Sequence, residues 1–354
     1  MTDLRKIRVL IVDDSAVARR AIADALALDP AIEVVGVAAD AYAAREKVME
    51  LQPDVLTLDL EMPRLDGLTF LKILQEHHPI PVVVVSSFTP QGPAKALEAL
   101  AAGAVEVLGK PNQSQTLGDL AWQLAHHVKA AALARPGPRR RQPESKGPVP
   151  APEAPPPGGF APGRILLLGS STGGVEALRY LLPRLPAGIP PIAVVQHIPP
   201  NFSRMMAERL NDLCPFEVRE AADGDDLRPG LCLVAPGDFH LALTRSGRGY
   251  RARLTQSPPV HHCRPAVDVL FRSAAEHAGP RAVAVLLTGM GMDGARGLQA
   301  LRATGACTLA EHEESCIVYG MPKAAIEMGA AEQAVPLPRM PEAILQALAQ
   351  PVPA

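Results

Sequence analysis

The chain alternates short runs of Val, Ile and Leu with longer amphipathic stretches, and this alternation limits its fold more than any other feature. Short apolar runs of this kind are typical of strands that are buried on both faces of a parallel sheet. The amphipathic stretches between them are typical of helices that cover the sheet through right-handed crossovers. The sequence therefore predicts an α/β architecture, with functional side chains at the carboxyl ends of the strands.

A proline-rich stretch interrupts this alternation in the middle of the chain. Ten of the 37 prolines lie in residues 135–163, a segment with almost no large apolar residues. Such a segment buries too little apolar surface to offset its ordering entropy, and is typical of a stiff, extended linker. The 354 residues are long enough for two domains. We therefore predict a first domain over 1–134, a linker over 135–163 and a second domain over 164–354.

Charge and cysteine usage exclude several classes of protein. The formal net charge of −2 argues against a general binder of nucleic acid or of membrane surfaces. The chain has no apolar run long enough to cross a bilayer, and its first residues lack a signal-peptide pattern. The five cysteines form no CxxC pair, which fits a reducing compartment rather than a zinc module or a disulfide framework. These features predict a cytoplasmic protein that neither binds nucleic acid nor inserts into a membrane.

Five apolar runs of the first domain predict a doubly wound parallel sheet; they span residues 8–14, 33–38, 54–60, 81–87 and 104–110. Polar residues follow several of them: Asp13 and Asp14 end the first run, Asp59 the third, Ser86 the fourth and Lys110 the fifth. Three carboxylates at one sheet edge repel one another without a cation, and hard oxygen ligands favour Mg²⁺. A carboxylate beside such an ion can attack phosphorus, and a lysine and a hydroxyl can bind the transferred group.

The first half of the chain resembles response-regulator receiver domains, which have a flavodoxin-like (βα)5 fold. The resemblance rests on Asp13–Asp14, on Asp59 within LDLEMPRLDG, on Ser86, and on Lys110 within GKP. It implies that Asp59 is phosphorylated. It also implies that Mg²⁺ is held by Asp14, Asp59 and the backbone carbonyl of Glu61, with Asp13 in support.

The second half opens with an apolar run that leads through GSSTGG into a helical pattern. Gly169, Ser171 and Gly173 fit the G-x-S-x-G pattern, which exposes a serine on a sharp turn between a strand and a helix. A phosphate cradle and a helix-capping serine are the alternatives for the same residues. The dinucleotide fingerprint GxGxxG and the P-loop GK[ST] are both absent from this stretch.

A serine nucleophile needs a base and an acid that orients the base. His197 directly follows the apolar run PIAVVQ, and Asp293 lies in a glycine-rich turn after AVAVLL. These positions predict a triad of Ser171, His197 and Asp293 at neighbouring strand ends. The chain order Ser–His–Asp differs from the Ser–Asp–His order of α/β-hydrolases, but triads are recognised by geometry rather than by order.

Other histidines compete with His197 for the role of base. We favour His197 over His240, His261 and His262 because it alone follows a strand of the buried type with no intervening turn. His261 or His262 remains an alternative as a residue that lines the cleft. Cys263 follows them, and we interpret it as a small, partly buried residue rather than as a thiol nucleophile.

A second resemblance extends across the whole second half. The motifs that carry it are GSSTGG, VVQHIPP, LVAPGDFHLAL, RPAVDVLFRSAA, LTGMGMDGA and YGMPKAA. They occur in the order seen in the chemotaxis protein-glutamate methylesterases of the CheB family, which join a receiver to a doubly wound parallel-sheet methylesterase domain. Ser170 departs from the pattern, because the family usually has alanine at this position.

This resemblance implies that the chain hydrolyses γ-methyl esters of glutamate on chemoreceptors and deamidates receptor glutamines, for chemotactic adaptation. It implies no cofactor for the esterase and a chemotaxis histidine kinase as phosphodonor. An unphosphorylated receiver would cover the cleft, and phosphorylation would open it. We place the donors that stabilise the oxyanion at Thr172, Gly173, Gly174 and Met290, and we expect a monomer.

Three other functions compete with this interpretation. In the first, GSSTGG binds phosphate in a nucleotide-dependent enzyme, which needs an acidic ribose partner where the chain has Gln196 and His197. The second is a transcriptional response regulator, which needs a basic helix-turn-helix that the second half lacks. The third is a non-catalytic receptor adaptor, which applies if the triad geometry is not met.

Overall fold

The computed structural model describes residues 5–86, 92–110, 117–134, 158–247 and 249–352. The chain divides into two compact units, Met1–Gln142 and Pro143–Ala354. The division falls within the predicted linker, of which residues 135–157 lie outside the described residues. The domain boundaries 1–134 and 164–354 therefore stay a prediction.

The first unit alternates strands and helices from end to end. Its elements are β1 (Ile7–Val12), α1 (Ala16–Leu26), β2 (Ile32–Ala38), α2 (Ala41–Leu51), β3 (Val55–Leu58), α3 (Gly67–His77), β4 (Val82–Ser86), α4 (Gly92–Ala101), β5 (Glu106–Gly109) and α5 (Leu117–Leu133). The strands pair in the order β2-β1-β3-β4-β5, and every pairing is parallel. The predicted receiver fold is confirmed.

Side chains in the loops after β1, β2 and β3 cap the first three helices of this unit. Ser15, Asp40 and Asp66 precede α1, α2 and α3, and each accepts a hydrogen bond from a backbone N–H in the first turn of its helix. Such caps satisfy amide groups that would otherwise lack a partner. They fix where each helix leaves the edge of the sheet that carries the acidic residues.

The second unit is larger and begins a new sheet. Its strands are β6 (Ile165–Ser170), β7 (Ile192–Gln196), β8 (Glu217–Glu220), β9 (Asp226–Leu227), β10 (Leu231–Val234), β11 (His240–Ser246), β12 (Gly249–Thr255), β13 (Ala282–Leu286), β14 (Cys307–Glu311) and β15 (Gln333–Val335). Its helices are α6 (Gly174–Leu181), α7 (Phe202–Asn211), α8 (Val267–His277), α9 (Ala295–Ala303), α10 (Met321–Glu327) and α11 (Met340–Ala349), and three short 3₁₀ turns join some of them.

Seven strands form the main sheet in the order β15-β14-β13-β6-β7-β10-β8, with all pairings parallel. From β6 the chain moves to β7 on one side, and it later returns to β13 on the other. The strand order therefore reverses between β6 and β13. Open sheets bind their ligands at such a reversal point, beyond the carboxyl ends of the strands. The predicted doubly wound parallel sheet is confirmed.

A second, antiparallel sheet of β11, β12 and β9 packs on the same core, and the sequence analysis did not anticipate it. In β11, Leu241 and Leu243 are buried and alternate with less buried residues. This two-residue period is typical of a sheet with one buried face. Searching only for continuous apolar runs overlooks strands of this kind.

No helix in the described ranges is long and apolar enough to cross a membrane.

Candidate active site

The register between β6 and β7 brings the predicted serine and histidine together. Ser170 ends β6 and pairs with Gln196, which ends β7. The next residue on each strand, Ser171 or His197, therefore leaves the sheet at the same point. The backbone N–H of His197 donates to the carbonyl of Ser170 at 3.1 Å. On the other side of β6, the loop between β13 and α9 carries Asp293 to the same edge.

The three predicted residues form a continuous chain of contacts. His197 Nδ1 lies 3.1 Å from Ser171 Oγ, and His197 Nε2 lies 2.8 Å from Asp293 Oδ2. The side chains of His197 and Asp293 are 10% and 2% exposed. Nε2–H donates to the carboxylate, so Nδ1 keeps its lone pair for the serine proton. The two ring nitrogens have exchanged the roles they have in chymotrypsin-type triads, where Nε2 faces the serine.

Backbone amides at the start of α8 fix the carboxylate of Asp293. Oδ2 accepts a hydrogen bond from the N–H of Val267 at 2.6 Å, and Oδ1 accepts one from the N–H of Asp268 at 3.0 Å. Gly294 donates to Oδ1 at 2.9 Å. Burial opposes the ionised form, but His197 and these amides lower the pKa of Asp293 below its usual value. Asp293 is therefore ionised at neutral pH and is held in one orientation.

The charge state of His197 follows from its two neighbours. Burial disfavours the imidazolium, whereas the sulfur of Cys263 and the carboxylate of Asp293 stabilise it. The net effect raises the pKa of His197 above its usual value. A general base acts in its neutral form, so a raised pKa predicts activity that increases as the pH rises through it.

Backbone contacts help to hold Ser171 in place. Its N–H donates to the carbonyl of Thr288 at 3.0 Å, just beyond β13. Gly289 lies so close that a Cβ there would approach the Cβ of Ser171 to 2.6 Å. Gly173 has a φ of 81°, in the left-handed region that favours glycine, and the chain turns there into α6. The serine is thus fixed on a sharp turn between a strand and a helix.

The predicted oxyanion donors differ in whether their backbone N–H groups already have an acceptor. The N–H of Gly174 donates to the carbonyl of Ser171 at 2.7 Å, so it closes the turn and does not face a ligand. The N–H groups of Thr172 and Gly173 have no acceptor within the described residues. Met290 follows Gly289 in the loop beside the serine. The candidates for binding an oxyanion are therefore Thr172, Gly173 and Met290.

Ser170 has a role that the sequence did not reveal. Its side chain is fully buried, and its hydroxyl donates to Gln196 Oε1 at 2.6 Å. The amide of Gln196 then donates to the carbonyls of Ser171 and His197 at 2.9 and 3.0 Å. The Ser170 hydroxyl is therefore buried and already engaged in a hydrogen bond. Through Gln196 it helps to hold the serine turn against the histidine loop.

The competing histidines differ from His197 in their surroundings. His240 is fully buried, and its ring contacts the carbonyl of Pro258 at 3.2 Å and the N–H of Ala266 at 3.2 Å. His261 Nε2 lies 3.1 Å from the buried carboxylate of Asp268. His262 is exposed.

Cys263 lies closer to the site than the sequence analysis inferred. Its Sγ is 3.5 Å from His197 Nδ1, the same nitrogen that faces Ser171. The prediction of a small, partly buried residue holds, but no local pattern in the sequence indicates this contact with His197. The cysteine is only partly buried.

A buried glutamate lies behind the serine turn. Glu311 ends β14 and is fully buried, and its Oε2 accepts a hydrogen bond from the N–H of Thr288 at 2.9 Å. Its Oε1 accepts one from Ser315 Oγ at 2.9 Å. Burial raises the pKa of Glu311 to about 7. The residue that anchors Thr288, and through it Ser171, therefore titrates near neutral pH.

Replacing Glu311 with glutamine should stabilise the second unit at high pH only. The raised pKa means that the wild-type carboxyl favours folding below about pH 4.5 and loses this contribution as the pH rises through about 7. Glutamine resembles the protonated form, so we expect a gain of about 1–3 kcal/mol at pH 8 and a much smaller difference at pH 5. Urea unfolding of the variant and of wild type at both pH values measures this difference in the free energy of unfolding.

The control for this prediction is Glu314→Gln, because the Glu314 side chain is 64% exposed. We expect its effect to be small at both pH values. An equal difference between Glu311→Gln and wild type at pH 5 and pH 8 would contradict the titration of Glu311.

The receiver unit brings its predicted acidic residues together. Carboxylate oxygens of Asp13, Asp14 and Asp59 all lie within 4.8 Å of one another. Asp13 and Asp59 are buried, and Lys110 Nζ lies 2.9 Å from Asp13 Oδ2 and 2.8 Å from Asp59 Oδ2. One lysine leaves this group with excess negative charge. The donor set of clustered carboxylate oxygens therefore fits a hard divalent cation such as Mg²⁺.

The charges of the cluster act on Asp59 in opposite directions. Burial and the charge of Asp13 raise its pKa, Lys110 lowers it, and the net pKa is above the usual value. The N–H of Glu61 donates to Asp59 Oδ1 at 3.2 Å, which places Glu61 beside the cluster. Ser86 ends β4 at the same edge, but its side chain lies outside the described residues.

Comparison with known proteins gives the same division of the chain. A family model described as "CheB methylesterase" matches residues 166–344, and one described as "Response regulator receiver domain" matches residues 9–121. The crystal structure of the Thermotoga maritima CheB methylesterase catalytic domain is similar, with a TM-score of 0.51 and 42% identity. The match covers 52% of this chain and 98% of that one.

Two relatives match nearly the full length. Protein-glutamate methylesterase/protein-glutamine glutaminase 2 of Syntrophus aciditrophicus is 47% identical, over 97% of this chain and 99% of its own. The corresponding protein 5 of Anaeromyxobacter dehalogenans is 49% identical, over 98% of each chain. The fold, the site and these matches define a hydrolase that carries a response-regulator receiver domain.

The chain belongs to the CheB methylesterase family. It is an enzyme, a protein-glutamate methylesterase/protein-glutamine glutaminase of the chemotaxis response regulators. Both resemblances in the sequence are thereby confirmed. This assignment excludes the three alternative functions: a nucleotide-dependent enzyme, a transcriptional regulator and a non-catalytic receptor adaptor.

Proposed function

We propose that the enzyme hydrolyses glutamate γ-methyl esters on chemoreceptors, and deamidates receptor glutamines, through a triad of Ser171, His197 and Asp293. The observation that carries this proposal is the contact chain of 3.1 and 2.8 Å from Ser171 Oγ through the imidazole to Asp293. It lies where the strand order of the main sheet reverses. In the cell this reaction would serve chemotactic adaptation.

Acylation begins with a proton transfer. His197 Nδ1 takes the proton from Ser171 Oγ, which attacks the γ-carbonyl carbon of a methylated glutamate. The free N–H groups of Thr172 and Gly173, with Met290 nearby, stabilise the developing oxyanion. Asp293 stabilises the imidazolium, which then gives its proton to the departing methanol.

Deacylation repeats these steps with water. His197 Nδ1 takes a proton from the water molecule, and the resulting hydroxide attacks the acyl-enzyme. The bond to Ser171 Oγ then breaks, the imidazolium returns its proton to Oγ, and the receptor keeps a glutamate carboxylate. A receptor glutamine follows the same course with ammonia as the leaving group. No group beyond the triad and the amides of the turn is required for either reaction.

The receiver regulates this activity through Asp59. We propose that a chemotaxis histidine kinase supplies the phosphoryl group and that Asp13, Asp14, Asp59 and the carbonyl of Glu61 hold Mg²⁺. When bound, Mg²⁺ neutralises charge on the carboxylates and on the incoming phosphoryl group. Lys110, which contacts Asp59 at 2.8 Å, would pair with the phosphorylated side chain, and Ser86 would donate a hydrogen bond to it.

Replacing Asp59 with asparagine should abolish activation by a phosphodonor. Asparagine keeps the shape of the side chain but lacks the carboxylate that attacks phosphorus. The ratio of esterase rates with and without acetyl phosphate and Mg²⁺ measures the effect. Asp24→Asn is the matched control, because Asp24 lies on the surface of α1 and pairs with Arg20 across one helical turn. Activation of Asp59→Asn to the same extent as Asp24→Asn would contradict the assignment.

Release of methanol from a methylated receptor fragment tests the proposed chemistry itself. We expect one unmethylated glutamate side chain on the fragment for each methanol released, and faster release when the phosphodonor is present. An unmethylated fragment with glutamine at the same site should release ammonia instead. Absence of both products from the intact chain, with and without phosphodonor, would refute the proposed function.

A further inference from the structure

Two nucleophilic side chains share one nitrogen of His197. Ser171 Oγ lies 3.1 Å from Nδ1, and Cys263 Sγ lies 3.5 Å from the same atom. Asp293 orients the imidazole, because its Oδ2 accepts a hydrogen bond from His197 Nε2 at 2.8 Å. A Cys–His–Asp arrangement is therefore built into the same site as the Ser–His–Asp one. Imidazole next to a thiol is the usual means by which proteins generate a reactive thiolate.

A strained hairpin carries Cys263 to this position. Val260 and Cys263 exchange two backbone hydrogen bonds, of 3.1 and 2.9 Å, across a turn formed by His261 and His262. These two histidines have φ of 52° and 62°, a left-handed conformation that non-glycine residues rarely adopt. His261 is fixed to the buried Asp268 at 3.1 Å. Strain of this kind persists only where surrounding contacts enforce it, and it is common at functional sites.

The other four cysteines are in surroundings that make their thiols unreactive. Cys232 and Cys316 are buried, and burial raises the pKa of each above its usual value. Cys214 and Cys307 are partly buried, and burial raises their pKa values to about 12 and about 11. These thiols stay protonated at neutral pH and react slowly. Cys263 is as partly buried as Cys214 and Cys307, but it differs from them because its Sγ contacts a base, His197 Nδ1, at 3.5 Å.

We propose that Cys263 is a modification site at which an oxidant of the peroxide class reversibly switches the esterase off. This inference rests on the proposed function, because it uses the same imidazole. His197 Nδ1 accepts the thiol proton, and the thiolate attacks one oxygen of the peroxide. An S–O bond forms and the O–O bond breaks. Sulfur loses two electrons, and the leaving hydroxide takes the proton from His197 and becomes water.

The product would block catalysis by competition for the base. The sulfenic acid carries an S–O–H group beside Nδ1, and its hydroxyl can donate to the lone pair that Ser171 needs. The added oxygen also occupies space between the hairpin and the serine. A dithiol reductant removes it, because thiol attack on the sulfenic sulfur releases water and a second thiol regenerates Cys263.

The test treats the full-length protein with hydrogen peroxide and then measures methanol release before and after dithiothreitol. Two further measurements do not need receptor substrate: labelling of Ser171 by a fluorophosphonate, and capture of sulfenic acid by dimedone, located by peptide mass. Each variant is compared with its own untreated sample. Cys263→Ala removes the thiol, and Cys307→Ala is the matched control at another partly buried cysteine.

We expect peroxide to lower esterase activity and Ser171 labelling of wild type and of Cys307→Ala by at least about tenfold, with recovery after reduction. Cys263→Ala should keep its own untreated activity and labelling. Equal sensitivity of Cys263→Ala, no dimedone adduct at Cys263, or full activity of protein oxidised there would each overturn the proposal. If untreated wild type releases no methanol, the proposed function fails instead, while dimedone capture and Ser171 labelling still decide the chemistry of Cys263.

Discussion

Replacing Ser171 with alanine should lower the rate of methanol release by about 10⁴-fold or more, because the variant lacks the hydroxyl that we propose forms the acyl-enzyme. His197 and Asp293 remain in place in this variant, so the loss reports the nucleophile alone. Steady-state release from a methylated receptor fragment measures the effect. Fluorophosphonate labelling should disappear at the same time.

The neighbouring serine provides a matched control. Ser170 is adjacent in the chain and equally small, but its hydroxyl is fully buried and bonded to Gln196. Ser170→Ala leaves the nucleophile intact and removes only the hydrogen bond that orients this amide, so we expect a rate loss of less than about tenfold. Substantial turnover by Ser171→Ala would refute the triad. An inactive Ser170→Ala with an active Ser171→Ala would move the nucleophile to position 170.

Replacing Asp293 with asparagine should have the second largest effect, a loss in kcat of about 10³–10⁴-fold. All four hydrogen bonds to this carboxylate come from N–H donors, at His197, Val267, Asp268 and Gly294. An amide group must therefore direct its own NH₂ at one of these donors. If it faces His197, the ring changes tautomer, and Nδ1 then carries a proton and cannot act as the base.

The pH dependence of the same variant gives a second readout. Asp293 helps to raise the pKa of His197, so its loss should shift the rise of the residual activity to lower pH. Asp226→Asn is the control, because Asp226 is 65% exposed and pairs with Arg251 on the surface of the same unit. Rates and a pH profile close to those of wild type in Asp293→Asn would remove the residue from the catalytic machinery.

Much of the fold follows from local sequence patterns. Buried parallel strands are continuous apolar runs, and each run predicted in the receiver is a strand of its sheet. Ser171 and His197 were recognisable because each immediately follows such a run. Because Ser170 pairs with Gln196, the residues that follow them, Ser171 and His197, leave the sheet side by side. Parallel sheets make strand ends meet, so position along the chain is enough to infer proximity.

Other parts of the site depend on contacts between distant segments, which a single sequence does not encode in any local pattern. The contact of Cys263 with His197 joins residues 66 positions apart. The support that Glu311 gives to Thr288 crosses from β14 to β13, and a carboxylate in a buried strand has no distinctive spacing. Gly174 was wrongly expected to face the oxyanion, because its N–H is engaged within the turn at 2.7 Å.

The anchoring of Ser171 by backbone atoms has an evolutionary consequence. Its position depends on the carbonyl of Thr288 and on the absence of a side chain at Gly289, whereas Met292, in the neighbouring loop, is 50% exposed. Substitutions at such an exposed position can alter the protein surface near Ser171 without touching these two anchors. Gene duplicates can therefore diverge at this surface while the backbone support of Ser171 is inherited unchanged.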